Sequence, residues 1–164
     1  MKRRTLAAAT AVLMASTLAL GACSGEIVAQ SGDAAQSAAN LDLERISSVL
    51  SDTGTAMAHA DTSMNAADLS GRVSQGALAT RTAQYALASA SGQTPLALDF
   101  TPSSLAITNS ESWPRAIFNI SGSSSTALPV LQVYVQESAR SDYQLTNYAR
   151  LLGGTQLTLP PVGT

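Results

Sequence analysis

The sequence predicts an α+β fold, with N-terminal helices packed on one face of a C-terminal antiparallel sheet of about four strands. Three observations lead there. Between residues 41 and 91, apolar residues recur at steps of three and four. From residue 96 onward they alternate instead, in short runs separated by Ser, Asn, Gly and Pro. Helical and strand-like segments do not interleave, which argues against a parallel, dinucleotide-type sheet and for neighbouring strands joined by tight turns.

The first helix is expected over residues 41 to about 64, on the stripe Ile46, Val49, Leu50, Met57, Ala60 and Met64, with Asn40 as its cap. Gly54 and several Ser and Thr lower its intrinsic propensity, so packing of the stripe has to stabilise it. A second stripe runs through Leu69, Val73, Ala77, Tyr85 and Ala88, with Arg81 on the same line. Gly71 and Gly76 favour a short helical turn followed by a longer helix, which Ser91-Gly92 ends. Strands follow around Leu105 and Ile107, from Pro114 to Ser121, from Val130 to Gln136, and from Tyr143 to Leu151. The alternation places Ala116, Phe118 and Ile120 on one face of the second strand, and Leu131, Val133 and Val135 toward the core from the third. Tyr143, Leu145, Asn147, Ala149 and Leu151 form a single set in the fourth.

The chain opens MKRRTLAAATAVLMASTLALGAC. Lys2, Arg3 and Arg4 make a positive region, and Leu6 to Leu20 an uncharged, mostly apolar one. That stretch is shorter than the roughly 20 residues of a membrane span and suits the core of a signal peptide. Leu20-Gly21-Ala22-Cys23 then resembles the lipobox of bacterial lipoproteins: an aliphatic residue, two small residues and a cysteine. Cleavage between Ala22 and Cys23 and lipid attachment to Cys23 are implied. The resulting organisation is a lipoprotein signal peptide at 1–22, a lipid-anchored Ser/Gly/Ala/Gln-rich tether at 23–40, the α+β domain at 41–159 and a short tail at 160–164.

Charge and composition then exclude several roles. The whole chain carries 9 basic and 11 acidic side chains; losing Lys2, Arg3 and Arg4 leaves six arginines, no lysine and a net charge of −5. Nucleic acid is therefore not an expected partner, and Schiff-base or lysine-nucleophile chemistry is excluded. Cys23 is the only cysteine, so no intrachain disulfide forms.

The segments RTAQYALA (81–88), PSSLAITNSESWPRAIFNI (102–120) and ALPVLQVYVQESARSDYQLTNYARLL (127–152) resemble an uncharacterised domain of actinobacterial membrane proteins and lipoproteins. The likeness covers most of residues 67 to 161. It implies a cystatin-like or NTF2-like order of elements, a fold analogy that carries no function of its own. It brings no catalytic residues with it.

The residues themselves offer little chemistry. The single histidine, His59, has Thr55, Ala56, Thr62 and Ser63 three and four positions away, so no second metal ligand shares its face. Serine hydrolase motifs and phosphate-binding glycine loops are missing. Asp42, Glu44, Asp52, Asp61 and Asp68 read as solvated helix faces. No catalytic residue, metal or cofactor is assigned. Two side chains are candidate binding residues. Trp113, the only tryptophan, is an anchor at the start of a strand or an exposed contact. Arg81 interrupts an apolar line and is expected to reach the sheet edge and pair with a carboxylate. Arg150 should face away from Ala149 and Leu151. The expected function is that of a non-enzymatic interaction or ligand-holding module, held by Cys23 at the outer face of the bacterial cytoplasmic membrane after contact with lipoprotein-processing enzymes. A hydrolase acting on envelope material is the alternative.

Overall fold

The computed structural model describes residues 41–108, 110–122, 128–155 and 157. The leader, Ala22, Cys23, Asn40 and the 160–164 tail lie outside the described residues. Among the described residues, no helix is long and apolar enough to cross a membrane.

Helix α1 spans Leu43–Ser63. Asp42 caps it: its Oδ1 accepts from the Arg45 amide at 2.7 Å. That satisfies one of the amides a helix start leaves unpaired. The expected stripe is buried, with Ile46, Val49, Leu50, Met57 and Ala60 turned inward. Gly54 allows Phe100 to lie against the helix, since a Cβ at position 54 would sit 3.2 Å from the Phe100 ring. A 3₁₀ turn at Ala66–Leu69 leads into α2, Gln75–Ser91. Gly92 closes α2 at φ 71°, a left-handed conformation that glycine adopts without a Cβ penalty.

The four strands β1 (Pro102–Ile107), β2 (Arg115–Ser121), β3 (Val130–Gln136) and β4 (Gln144–Arg150) form an antiparallel meander in the order β1-β2-β3-β4. Both helices contribute to a core with Ile117, Tyr134 and Leu145 from the sheet, so the α+β arrangement expected from the sequence is the one observed. Outside β4, Val73 makes an isolated parallel bridge to Leu145. The Leu145 amide donates to Arg72 O at 2.9 Å, and the Ser74 amide to Leu145 O at 2.9 Å.

The sheet faces correct the reading of the sequence. On β3 the buried residues are Val130, Gln132, Tyr134 and Gln136, while Leu131, Val133 and Val135 are half-buried on the opposite face. On β2, Ile117 and Asn119 face the helices, in register with Tyr134 and Gln132, while Ala116, Phe118 and Ile120 face away. The inward polar residues bond to one another and to the backbone, with Asn119 Oδ1 alone of this set left without a partner. Asn119 Nδ2 donates to Gln132 Oε1 at 2.8 Å, Tyr134 OH donates to the same oxygen at 3.1 Å, and Gln132 Nε2 donates to Asp99 O at 2.8 Å. The apolar set on the other face is partly shielded by its own cross-strand neighbours. In β4, a register shift opposite Val133/Tyr134 breaks the single alternating set. Tyr143, Leu145 and Thr146 are buried, while Asn147 and Ala149 are exposed.

Candidate functional site

Arg81 lies on the inward stripe of α2 and is 1 % exposed. It pairs with a carboxylate as expected, and the partner is Asp61 of α1. Nε donates to Oδ1 at 2.9 Å, and Nη2 makes a second, shorter bond to Oδ2. Nη1 donates to Gln84 Oε1 at 2.8 Å and to Leu96 O at 3.1 Å. Tyr85 OH completes the carboxylate's shell, donating to Asp61 Oδ1 at 2.6 Å. Burial works against the Arg81 charge, but the Asp61 carboxylate outweighs it and holds the guanidinium pKa above its ordinary value. The side chain lies beside edge strand β4, where Tyr148 OH donates to Gln84 Oε1 at 3.1 Å. Arg81 is thus bound into the fold and presents nothing to a ligand, which corrects its reading as a binding residue. Asp61 is likewise a structural partner and not part of a solvated face. Arg150 turns away from Ala149 as expected, and its Nη2 donates to the carbonyls of Leu96 at 3.1 Å and Ala97 at 2.8 Å.

Trp113 occupies a different setting. It is half-buried and enters β2 through a cis Trp113–Pro114 peptide. Two residues on, the Arg115 guanidinium stacks over the indole with its carbon 4.3 Å from the ring centroid. Arg115 opens β2 opposite Gln136, which ends β3. Gln136 Nε2 donates to Ser141 O at 2.6 Å and so holds the β3–β4 turn against the strand end. Tyr143 follows that turn. Arg45 and Asp42 come from the first turn of α1. These six residues surround an open cavity of about 400 Å³.

The electrostatics of this cavity are uneven. Among the described residues, ion pairs join Arg72 to Asp52 and Arg81 to Asp61, and none involves Arg45 or Arg115. Arg115 Nε is buried without a hydrogen-bond partner. Burial raises the Tyr143 phenol above its usual pKa, and the nearby Arg115 and Arg45 charges oppose that rise. The phenol is therefore a neutral donor and acceptor at physiological pH. Among the described residues, Asp42 is the one carboxylate on the cavity wall, and it is engaged by the helix amide already described.

His59 is on the outer face of α1, its side chain 73 % exposed, with Nδ1 3.2 Å from Asp68 Oδ2. The 3₁₀ turn supplies that partner, which helical spacing alone could not indicate. Ser63 Oγ donates to Asp68 Oδ2 at 2.6 Å, so the hydroxyl addresses the carboxylate and not the imidazole. A nucleophile–base pair would need the second arrangement. Among the described residues, no three His, Cys, Asp or Glu side chains cluster as a metal site.

The spacing of Arg45 from Trp113 and Arg115 in the chain hid the cavity from the sequence. The signal in the sequence is the Trp-Pro-Arg step, which sets Arg115 two residues after the tryptophan at the start of a strand. No protein-family model, curated protein or solved structure matches this chain.

Proposed function

We propose that this chain is a lipid-anchored extracytoplasmic protein whose domain holds a ligand without transforming it. The observation that carries the binding half of this reading is the cavity at the Trp113–Arg115 step, where two guanidiniums without a carboxylate partner among the described residues meet a phenol and an aromatic face. Those groups recognise charge and shape. A site of this volume falls within the range of small-molecule pockets, about 300–1,000 Å³. The anchoring half rests on the sequence: a positive start, an apolar core and Leu20-Gly21-Ala22-Cys23 in lipobox order. Two acyl chains on Cys23 provide stable attachment, since each buried methylene contributes about 0.8 kcal/mol.

The test is fractionation of cells expressing the full chain, with a radiolabelled fatty acid supplied. Wild-type protein should sediment with membranes and carry label, and Cys23→Ala should do neither. Unlabelled wild-type protein recovered wholly from the medium rejects the anchor.

A further inference from the structure

Of the cavities and charged clusters in the domain, the one at the start of β2 contains both an unsatisfied buried donor and an excess of one charge. Arg115 Nε has no partner although it is buried. That nitrogen is closed off and lowers stability as it stands, which leaves the Nη groups of Arg115 as the donors open to the cavity. The stack on Trp113 covers one face of the Arg115 guanidinium. A guanidinium donates in its own plane, so stacking leaves its N–H edges able to grip an acceptor. Arg45 approaches the same cavity from α1, and Tyr143 and Gln136 bring a phenol and an amide.

The sign and number of charges narrow the ligand. Arg45 and Arg115 contribute two positive charges to the wall and Asp42 one negative, which leaves a single positive charge to neutralise. A doubly charged phosphate exceeds that balance and would leave a net negative charge beside Asp42. A carboxylate carries one charge, is planar and fits the guanidinium fork. Deepening the ligand-holding reading above, on which this inference rests, we propose that the cavity binds one carboxylate group of a small ligand between Arg45 and Arg115, beside Trp113.

Trp113 is the only tryptophan in the chain, so its fluorescence reports this site alone. The experiment titrates full-length protein in detergent with N-acetylalanine, with its uncharged amide and with inorganic phosphate, at constant ionic strength. Saturable change with N-acetylalanine and none with the amide is expected. Arg45→Gln, on an exposed helix position, should weaken the response about tenfold or more, as loss of a charge-assisted bond does. Arg115→Gln should do the same. Arg72→Gln, whose partner is Asp52, should leave the response unchanged. An equal response to acid and amide overturns the proposal, as does an Arg45→Gln variant that binds like wild type. Tighter binding of phosphate than of N-acetylalanine overturns the single-charge assignment. None of these results depends on lipid attachment, so failure here and failure of the membrane anchor are separately visible.

Discussion

Arg81 of α2 and Asp61 of α1 form a two-pronged ion pair, with Nε on one carboxylate oxygen and Nη2 on the other. Twenty residues separate them in the chain, and no other ion pair between described residues ties the two helices together. The Arg81 side chain is 1 % exposed and that of Asp61 is 22 % exposed. Arg81→Met should therefore destabilise the domain by about 3 kcal/mol, the lower end for a broken buried pair. Arg81→Lys should not restore it, because an ammonium cannot span both oxygens. The double variant Arg81→Met/Asp61→Leu should recover much of the loss. Urea denaturation of the four proteins checks this.

The second prediction concerns the two faces of β3. Gln132 is fully buried and holds three partners, whereas Val133 is half-buried on the other side. Gln132→Asp places a charge at a closed position and leaves Asp99 O without its donor. It should cost several kcal/mol of a total stability of about 5–15. Val133→Asp should cost distinctly less. Denaturation midpoints of the pair decide it, and the opposite order would restore the face assignment that alternation alone suggests.

Alkaline pH supplies a third. All four tyrosines have phenol pKa values raised by burial: Tyr85 is pushed up to about 12, and Tyr134, Tyr143 and Tyr148 also shift upward. In the unfolded chain these groups titrate near 10. Above about pH 10 the unfolded state therefore binds fewer protons than the folded one, and stability falls as pH rises. Below that pH it is unaffected. The slope should be about 1.4 kcal/mol per pH unit for each phenol that stays protonated, through pH 12 for Tyr85. Phenolate absorbance should rise together with loss of the helix signal, not before it.

His59→Ala should be nearly silent. The imidazole is 73 % exposed and its contact with Asp68 is a surface pair, worth about 0–1 kcal/mol. Thermal unfolding at neutral pH should change by no more than a few degrees for a domain of this size. A larger loss would show that the Asp68 turn depends on it.

Much of the framework was legible because period and punctuation agree. Leu69, Val73, Ala77, Arg81, Tyr85 and Ala88 form one buried line, and Gly92 ends it where a left-handed residue is needed. The sheet face was not legible. Leu131, Val133 and Val135 look like a core set until Asn119, thirteen residues before Gln132 on the neighbouring strand, is known to meet it. The polar set could turn inward only because its partners are supplied by other segments. The same holds for the cavity: Arg45 and Arg115 are both plain surface cations until the fold brings the first turn of α1 to the start of β2.

The bridge between Val73 and Leu145 also governs how the sheet can meet another polypeptide. With Arg72 O and the Ser74 amide already bonded to Leu145, a strand from a second molecule cannot add along that stretch of β4. The remaining lateral border, among the described residues, is β1. It begins at Pro102, which lacks a donor, and continues through the exposed Ser103 and Ser104 before Leu105. Both features work against edge-to-edge pairing of the sheet with another copy. A filament needs two open borders on each subunit, and here one is occupied at Leu145 and the other is interrupted at its first residue.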